Sequence, residues 1–115
     1  MSAHTSFIDQ LLQSLPQLKP AHDEHLFDNN TLLPHVFMGD VTRFAIAEAA
    51  KANTEILQRL LDHLEKGLEN SPKEVKELIA VSFVENLTGE TVALKTLKPL
   101  IGPNLKKEVE IIYGE

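Results

Sequence analysis

Thr54-Glu-Ile-Leu-Gln-Arg-Leu-Leu-Asp-His-Leu-Glu-Lys-Gly-Leu-Glu69 carries Ile56, Leu57, Leu60, Leu61, Leu64 and Leu68 at helical spacing on one face. Glu55 with Arg59 and Asp62 with Lys66 stand four apart, acid first, the favourable order on an exposed helix surface. The stretch predicts an amphipathic helix whose apolar stripe demands other helices to cover it. Downstream, Ser71-Pro72-Lys73-Glu74 reads as a capping box with proline at the first helical position. A largely enclosed helix is expected from there to Gly89, with Val75, Leu78, Ile79, Val81, Phe83, Val84 and Leu87 leaving few exposed faces. Shorter helices follow over Glu90 to Lys98 and, after Gly102-Pro103, over Asn104 to Tyr113.

Upstream, Thr31 reads as the cap of a helix that takes Pro34 in its first turn and runs to Ala50, with Gly39 as the weak point in its middle. Phe7, Ile8, Leu11, Leu12 and Leu15 predict a first helix capped by Thr5 and closed by Pro16. Between these, Lys19 to Asn30 is polar apart from Leu26 and Phe27 and reads as a connector holding one exposed helical piece that opens at Pro20. No alternating run is bounded by hairpin turn residues. The fold class is therefore all-α: a compact bundle of five to six helices, its helix–turn–helix succession like one or two units of a helical repeat stack but without self-similarity at a repeat period.

At 115 residues the chain has the length of one domain, taken as residues 1–115. It has no cysteine, which excludes a disulfide framework and thiolate metal sites and favours a reducing, cytoplasmic location. No basic residue precedes Lys19, so a secretory signal is not expected. The charge-free run from Asn29 to Gly39 falls well short of the roughly 18 apolar residues of a membrane span, so no membrane partner is expected. Eleven Lys and Arg against 17 Asp and Glu give a net charge of −6, most of it in the first fifty residues. With no basic patch to offset it, nucleic acid is not an expected partner, whereas a basic protein is.

Several polar residues stand in apolar surroundings, where burial without a partner costs about 1 to 3 kcal/mol. Leu32 to Phe44, the most aromatic and least charged stretch, holds His35, Asp40 and Arg43. At about 100° per residue His35 and Asp40 diverge by about 140°, whereas Asp40 and Arg43 are neighbours, so a buried ion pair is expected rather than a catalytic dyad. Ser82 and Asn86 break the apolar face of the helix after Ser71, with Glu85 beside them. His22-Asp-Glu-His25 spaces two imidazoles three apart, but a catalytic zinc needs a third ligand and the His-Glu-x-x-His form is missing. No nucleophile motif or phosphate-binding glycine loop occurs. No catalytic residue, metal or cofactor is assigned.

The segments Leu32-Leu-Pro-His-Val-Phe-Met-Gly-Asp-Val-Thr-Arg43 and Val75-Lys-Glu-Leu-Ile-Ala-Val-Ser-Phe-Val-Glu-Asn-Leu87 together resemble a family of short bacterial all-helical proteins of unknown function. Small acidic helical proteins of this type look like immunity proteins, which bind toxins in the cytosol. The resemblance implies no catalytic residues, only that His35, Asp40, Arg43, Glu85 and Asn86 are motif positions. The expected function is then a non-enzymatic immunity protein that occludes a basic toxin domain. Asp23, Glu24 and Asp28 would steer it and Glu85 and Asn86 would contact it, with His35, Asp40, Arg43 and Ser82 as structural polar core. The alternative is an adaptor that forms homo-oligomers through the apolar face bearing Ser82 and Asn86. Last comes a small metal-dependent enzyme using His22 and His25.

Overall fold

The computed structural model describes residues 3–87 and 91–113. Within them lie seven α-helices: α1 Ala3–Ser14, α2 Lys19–Asn29, α3 Pro34–Ala50, α4 Thr54–Asn70, α5 Lys73–Ile79, α6 Thr91–Leu97 and α7 Pro103–Tyr113. Short 3-10 turns at Pro16–Leu18 and Lys98–Leu100 lead into α2 and follow α6, and no strand occurs among the described residues. None of these helices is long and apolar enough to cross a membrane.

The stripe on α4 is the centre of the core. Leu57, Leu60, Leu61, Leu64 and Leu68 are buried on it, while Glu55 and Arg59 pair at 3.7 Å on the outside. Asp62 takes the Gln58 side-chain amide, at 2.8 Å, in place of the expected Lys66. Helices α1, α3, α5 and α7 all pack on α4, and α6 lies on α3. Gly67 sets the closeness of that packing: a Cβ there would lie 2.7 Å from the Phe7 ring and 2.9 Å from Ile79 Cδ1.

The seventh helix is α2, expected only as a connector piece. Its one buried residue is a histidine, His25 at 3% exposure, so no hydrophobic period marks it. The expected caps also move. Helix α1 starts at Ala3, ahead of Thr5. Helix α3 is capped at Leu33, whose extended backbone is what Pro34 imposes on the residue before it, so Thr31 lies outside the helix. Pro72, extended at ψ 164°, is itself the N-cap of α5, which puts Ser71 and the expected capping box one residue too early. Helix α3 runs unbroken through Gly39.

The expected single helix from Ser71 toward Gly89 is α5 followed by a π-helical turn over Ala80–Val84 and a 3-10 turn over Glu85–Leu87; Gly89 lies outside the described residues. Where the ladder widens, backbone carbonyls lose their regular partners and need others. The buried Thr42 hydroxyl of α3 supplies one, reaching the carbonyls of Ser82 at 3.2 Å and Phe83 at 3.4 Å as well as Met38 in its own helix at 2.9 Å. Asn86 donates its side-chain amide to the Ser82 carbonyl at 2.6 Å. The π turn is thereby locked in register against α3.

Candidate functional site

Helix α2 stands on His25. Its Nε2 accepts the Leu33 N–H at 3.0 Å, which satisfies a backbone donor at the start of α3. The neutral ring therefore carries its proton on Nδ1, which lies 3.8 Å from Asp40 Oδ2. Asn29 Nδ2, 3.4 Å from the same nitrogen, is also a donor, and it bonds the His25 carbonyl instead at 2.9 Å. A buried imidazole thus ties the end of α2 to the start of α3 and faces a carboxylate of the neighbouring helix.

Above His25 the two helices leave an open groove of about 610 Å³. Glu24 and Asp28, four apart on α2, form one wall; Val36, Asp40, Arg43 and Phe44 of α3 form the other. Asp40 and Arg43 make an ion pair at its mouth. Arg43 is 69% exposed, so the pair expected inside the core lies on the surface. Three residues' separation made the two neighbours, but their face of α3 turns to the groove, while Phe37, Met38, Val41 and Ala45 face the core. Among the described residues no salt bridge reaches Glu24 or Asp28.

Among the described residues, four of the seven large exposed hydrophobic residues fall in eleven positions here: Leu26, Phe27, Leu33 and Val36. Phe27 is 84% exposed. On α2 it follows Asp23 and Glu24 by four and three residues, so an aromatic ring stands among carboxylates. No helical spacing singles out Phe27; its signal in the sequence is that of an aromatic residue in a polar segment.

The other expected polar residues go elsewhere. His35 is exposed rather than part of the core, and its Nδ1 shares a 2.5 Å hydrogen bond with the buried Ser82 Oγ. The His4 ring meets it edge-on at 5.8 Å, and His4 Nε2 donates to the Glu74 carbonyl at 3.1 Å. His35 and Asp40 thus serve different neighbours. Glu85 and Asn86 are exposed, but neither lines the acidic groove. Thr42, which no spacing singled out, carries the contact with the π turn.

His22 and His25 both pack against the Phe37 ring. His22 lies edge-on to Phe37 at 5.3 Å, and the His25 nitrogens are engaged as above. Among the described residues no group of three or more His, Cys, Asp or Glu is placed to hold a metal ion.

No curated protein and no solved structure matches the chain. A model of a domain of unknown function, DUF7674, matches residues 8–114, and by that match, which takes in the acidic groove and the π turn alike, the chain belongs to the DUF7674 family.

Proposed function

We propose that the chain is a non-catalytic, cytoplasmic binding protein that engages a basic protein through the outer face of α2 and the start of α3. In its most concrete form it is an immunity protein that occludes a toxin domain. The observation that carries this reading is Phe27, 84% exposed on α2 with Asp23 and Glu24 one turn before it, in a stretch where Leu26, Leu33 and Val36 are exposed as well. Solitary exposed apolar residues are ordinary, but a cluster rimmed by charge is how interfaces are built. The ring would supply a buried anchor on binding, and the carboxylates would steer a cationic surface onto it. Ser82 is buried within the chain at the contact between the π turn and α3, so of the pair on which the oligomer alternative was built only Asn86 is exposed to a second copy.

The test is co-expression with the product of the adjacent gene. A complex that weakens at high salt and is lost in a folded Phe27→Ala variant supports the reading. No complex, or one indifferent to both Phe27→Ala and neutralisation of Asp23, Glu24 and Asp28, overturns it. So does self-association of the chain alone that Phe27→Ala abolishes, since the face would then belong to a second copy.

A further inference from the structure

We propose that His4 of α1 and His35 of α3 together bind one divalent transition-metal ion of the zinc class. Neither residue lines the acidic groove, and the site stands whether or not that groove engages a protein.

Two imidazoles bind one ion when each keeps an unprotonated nitrogen free and the rings stand close enough to share it. Zinc–nitrogen bonds of about 2.0 to 2.1 Å put two ring centroids about 5.2 Å apart at the tetrahedral angle. The His4 and His35 centroids are 5.8 Å apart with their planes at 79°, so the rings do not stack, and a shift of roughly half an ångström closes them on an ion.

Each ring is oriented from outside the pair. His4 Nε2 donates to the Glu74 carbonyl of α5 at 3.1 Å, which places the proton of the neutral ring there and leaves Nδ1 as a lone pair. His35 Nδ1 shares its 2.5 Å bond with the Ser82 hydroxyl, which can accept as well as donate, so Nε2 is the nitrogen left to a ligand. An imidazole whose second nitrogen is tied to a carbonyl or an O–H group is the arrangement of metal-bound histidine, because the outer bond sets the tautomer and the ring direction. Both outer partners belong to α5 and the π turn that continues it, and Ser82 is buried there, so one packed segment orients a ring from each of two other helices.

Solvent reaches the pair, since His35 is exposed and His4 half-buried. The remaining histidines are differently engaged: His25 Nε2 takes the Leu33 N–H, His22 packs on Phe37, and His63 Nε2 is enclosed. Two protein ligands leave two tetrahedral positions to water. Nitrogen donors favour zinc, nickel or copper over magnesium and calcium, which take oxygen. His4 and His35 are the second residues of their helices, whose dipoles oppose a cation there, but only weakly beside two metal–nitrogen bonds.

The experiment is a titration of the full chain, without a histidine tag and freed of metal by chelator, with zinc chloride, followed through the imidazole ring signals in NMR and with magnesium chloride as control. The expected result is saturable single-site binding that moves the ring signals of His4 and His35, leaves those of His22, His25 and His63 in place, and raises the melting temperature with zinc concentration. Magnesium should do none of this. His4→Gln and His35→Gln should each abolish saturation. Ser82→Ala, which frees the His35 ring, should weaken zinc by about tenfold, the low end for loss of an outer hydrogen bond. His4→Gln changes a side chain outside the core and stays readable if a variant at Ser82 fails to fold. No response to zinc, an equal response to magnesium, ring shifts at the other three histidines instead, or zinc binding that survives His4→Gln overturns the proposal.

Discussion

The Glu65 carboxylate of α4 accepts the Leu105 N–H of α7 at 2.8 Å. Its other oxygen takes the Asn104 N–H at 2.9 Å and the Asn104 side-chain amide at 2.8 Å. A carboxylate from one helix thus caps another, satisfying two backbone donors and placing negative charge at the positive end of the helix dipole. Gly102 makes the approach possible, since a Cβ there would lie 2.6 Å from the Glu65 carboxyl carbon.

Removing this cap with Glu65→Ala should cost about 1 to 2 kcal/mol, the upper part of the range for a lost N-cap. Gly102→Ala should also destabilise, through the clash. Because the clash is with Glu65 itself, Gly102→Ala should cost far less in the Glu65→Ala background, and a double-mutant cycle by urea unfolding should show strong non-additivity.

Gly39 and Ala52 invite the opposite substitutions. Gly39 lies in the middle of α3, and a Cβ there would meet nothing nearer than the Asn86 side chain at 3.6 Å. Gly39→Ala should stabilise by about 0.5 to 1 kcal/mol. Ala52, in the turn after α3, has φ 59°, where a Cβ costs about 1 kcal/mol, so Ala52→Gly should raise the melting temperature as well. Gly67→Ala, against Phe7 and Ile79, should lower it by overpacking, at about 1 to 3 kcal/mol.

Asp40→Ala should melt close to the parent. An exposed ion pair contributes about 0 to 1 kcal/mol, so the large loss expected of a buried pair is not predicted. Thr42→Val should cost more, about 1 to 3 kcal/mol, because it removes a buried hydroxyl donor shared between the Met38 carbonyl and the carbonyls of Ser82 and Phe83, of which Ser82 alone keeps the Asn86 amide. Thermal melts of the two variants side by side check the order.

Burial holds the His63 ring below its ordinary value of 6.5; a hydrogen bond with the Phe7 backbone opposes this, and nearby Lys66 adds to it. Its Nε2 is buried without a partner among the described residues. On acidification the unfolded ring binds its proton before the folded one, so the unfolded state is favoured. The stability tied to neutral His63 is present above pH 6.5 and is lost as the pH falls through the folded value. The melting temperature should therefore fall more steeply in the parent than in His63→Gln between about pH 7.5 and about pH 5.5.

Much of this architecture was legible in the chain. The stripe of α4 and the run of α3 are written in spacings of three and four residues, and those two helices stand where the spacings put them, whereas the helix expected from Ser71 toward Gly89 is regular only over Lys73–Ile79. Helix α2 was not legible as a structural element, since it anchors through His25 and a polar contact has no period. The acids of the groove were visible as an acidic lean in the first fifty residues. That Asp40 joins them was not, because helical spacing relates Asp40 to Arg43 without saying which face of α3 meets the core.

What the sequence by itself determined is the helices that carry an apolar period, because that period is set between residues one turn apart. Only the tertiary structure decided which polar groups are enclosed and by what. His25 takes a backbone donor eight residues away, His35 meets Ser82 across 47 residues, and Glu65 caps α7 across 40. Such partners meet only when the apolar stripes have packed, and no local spacing records them. The groove between α2 and α3 is of the same kind: its carboxylates are local in sequence on each helix, and their convergence is a property of the packed molecule alone.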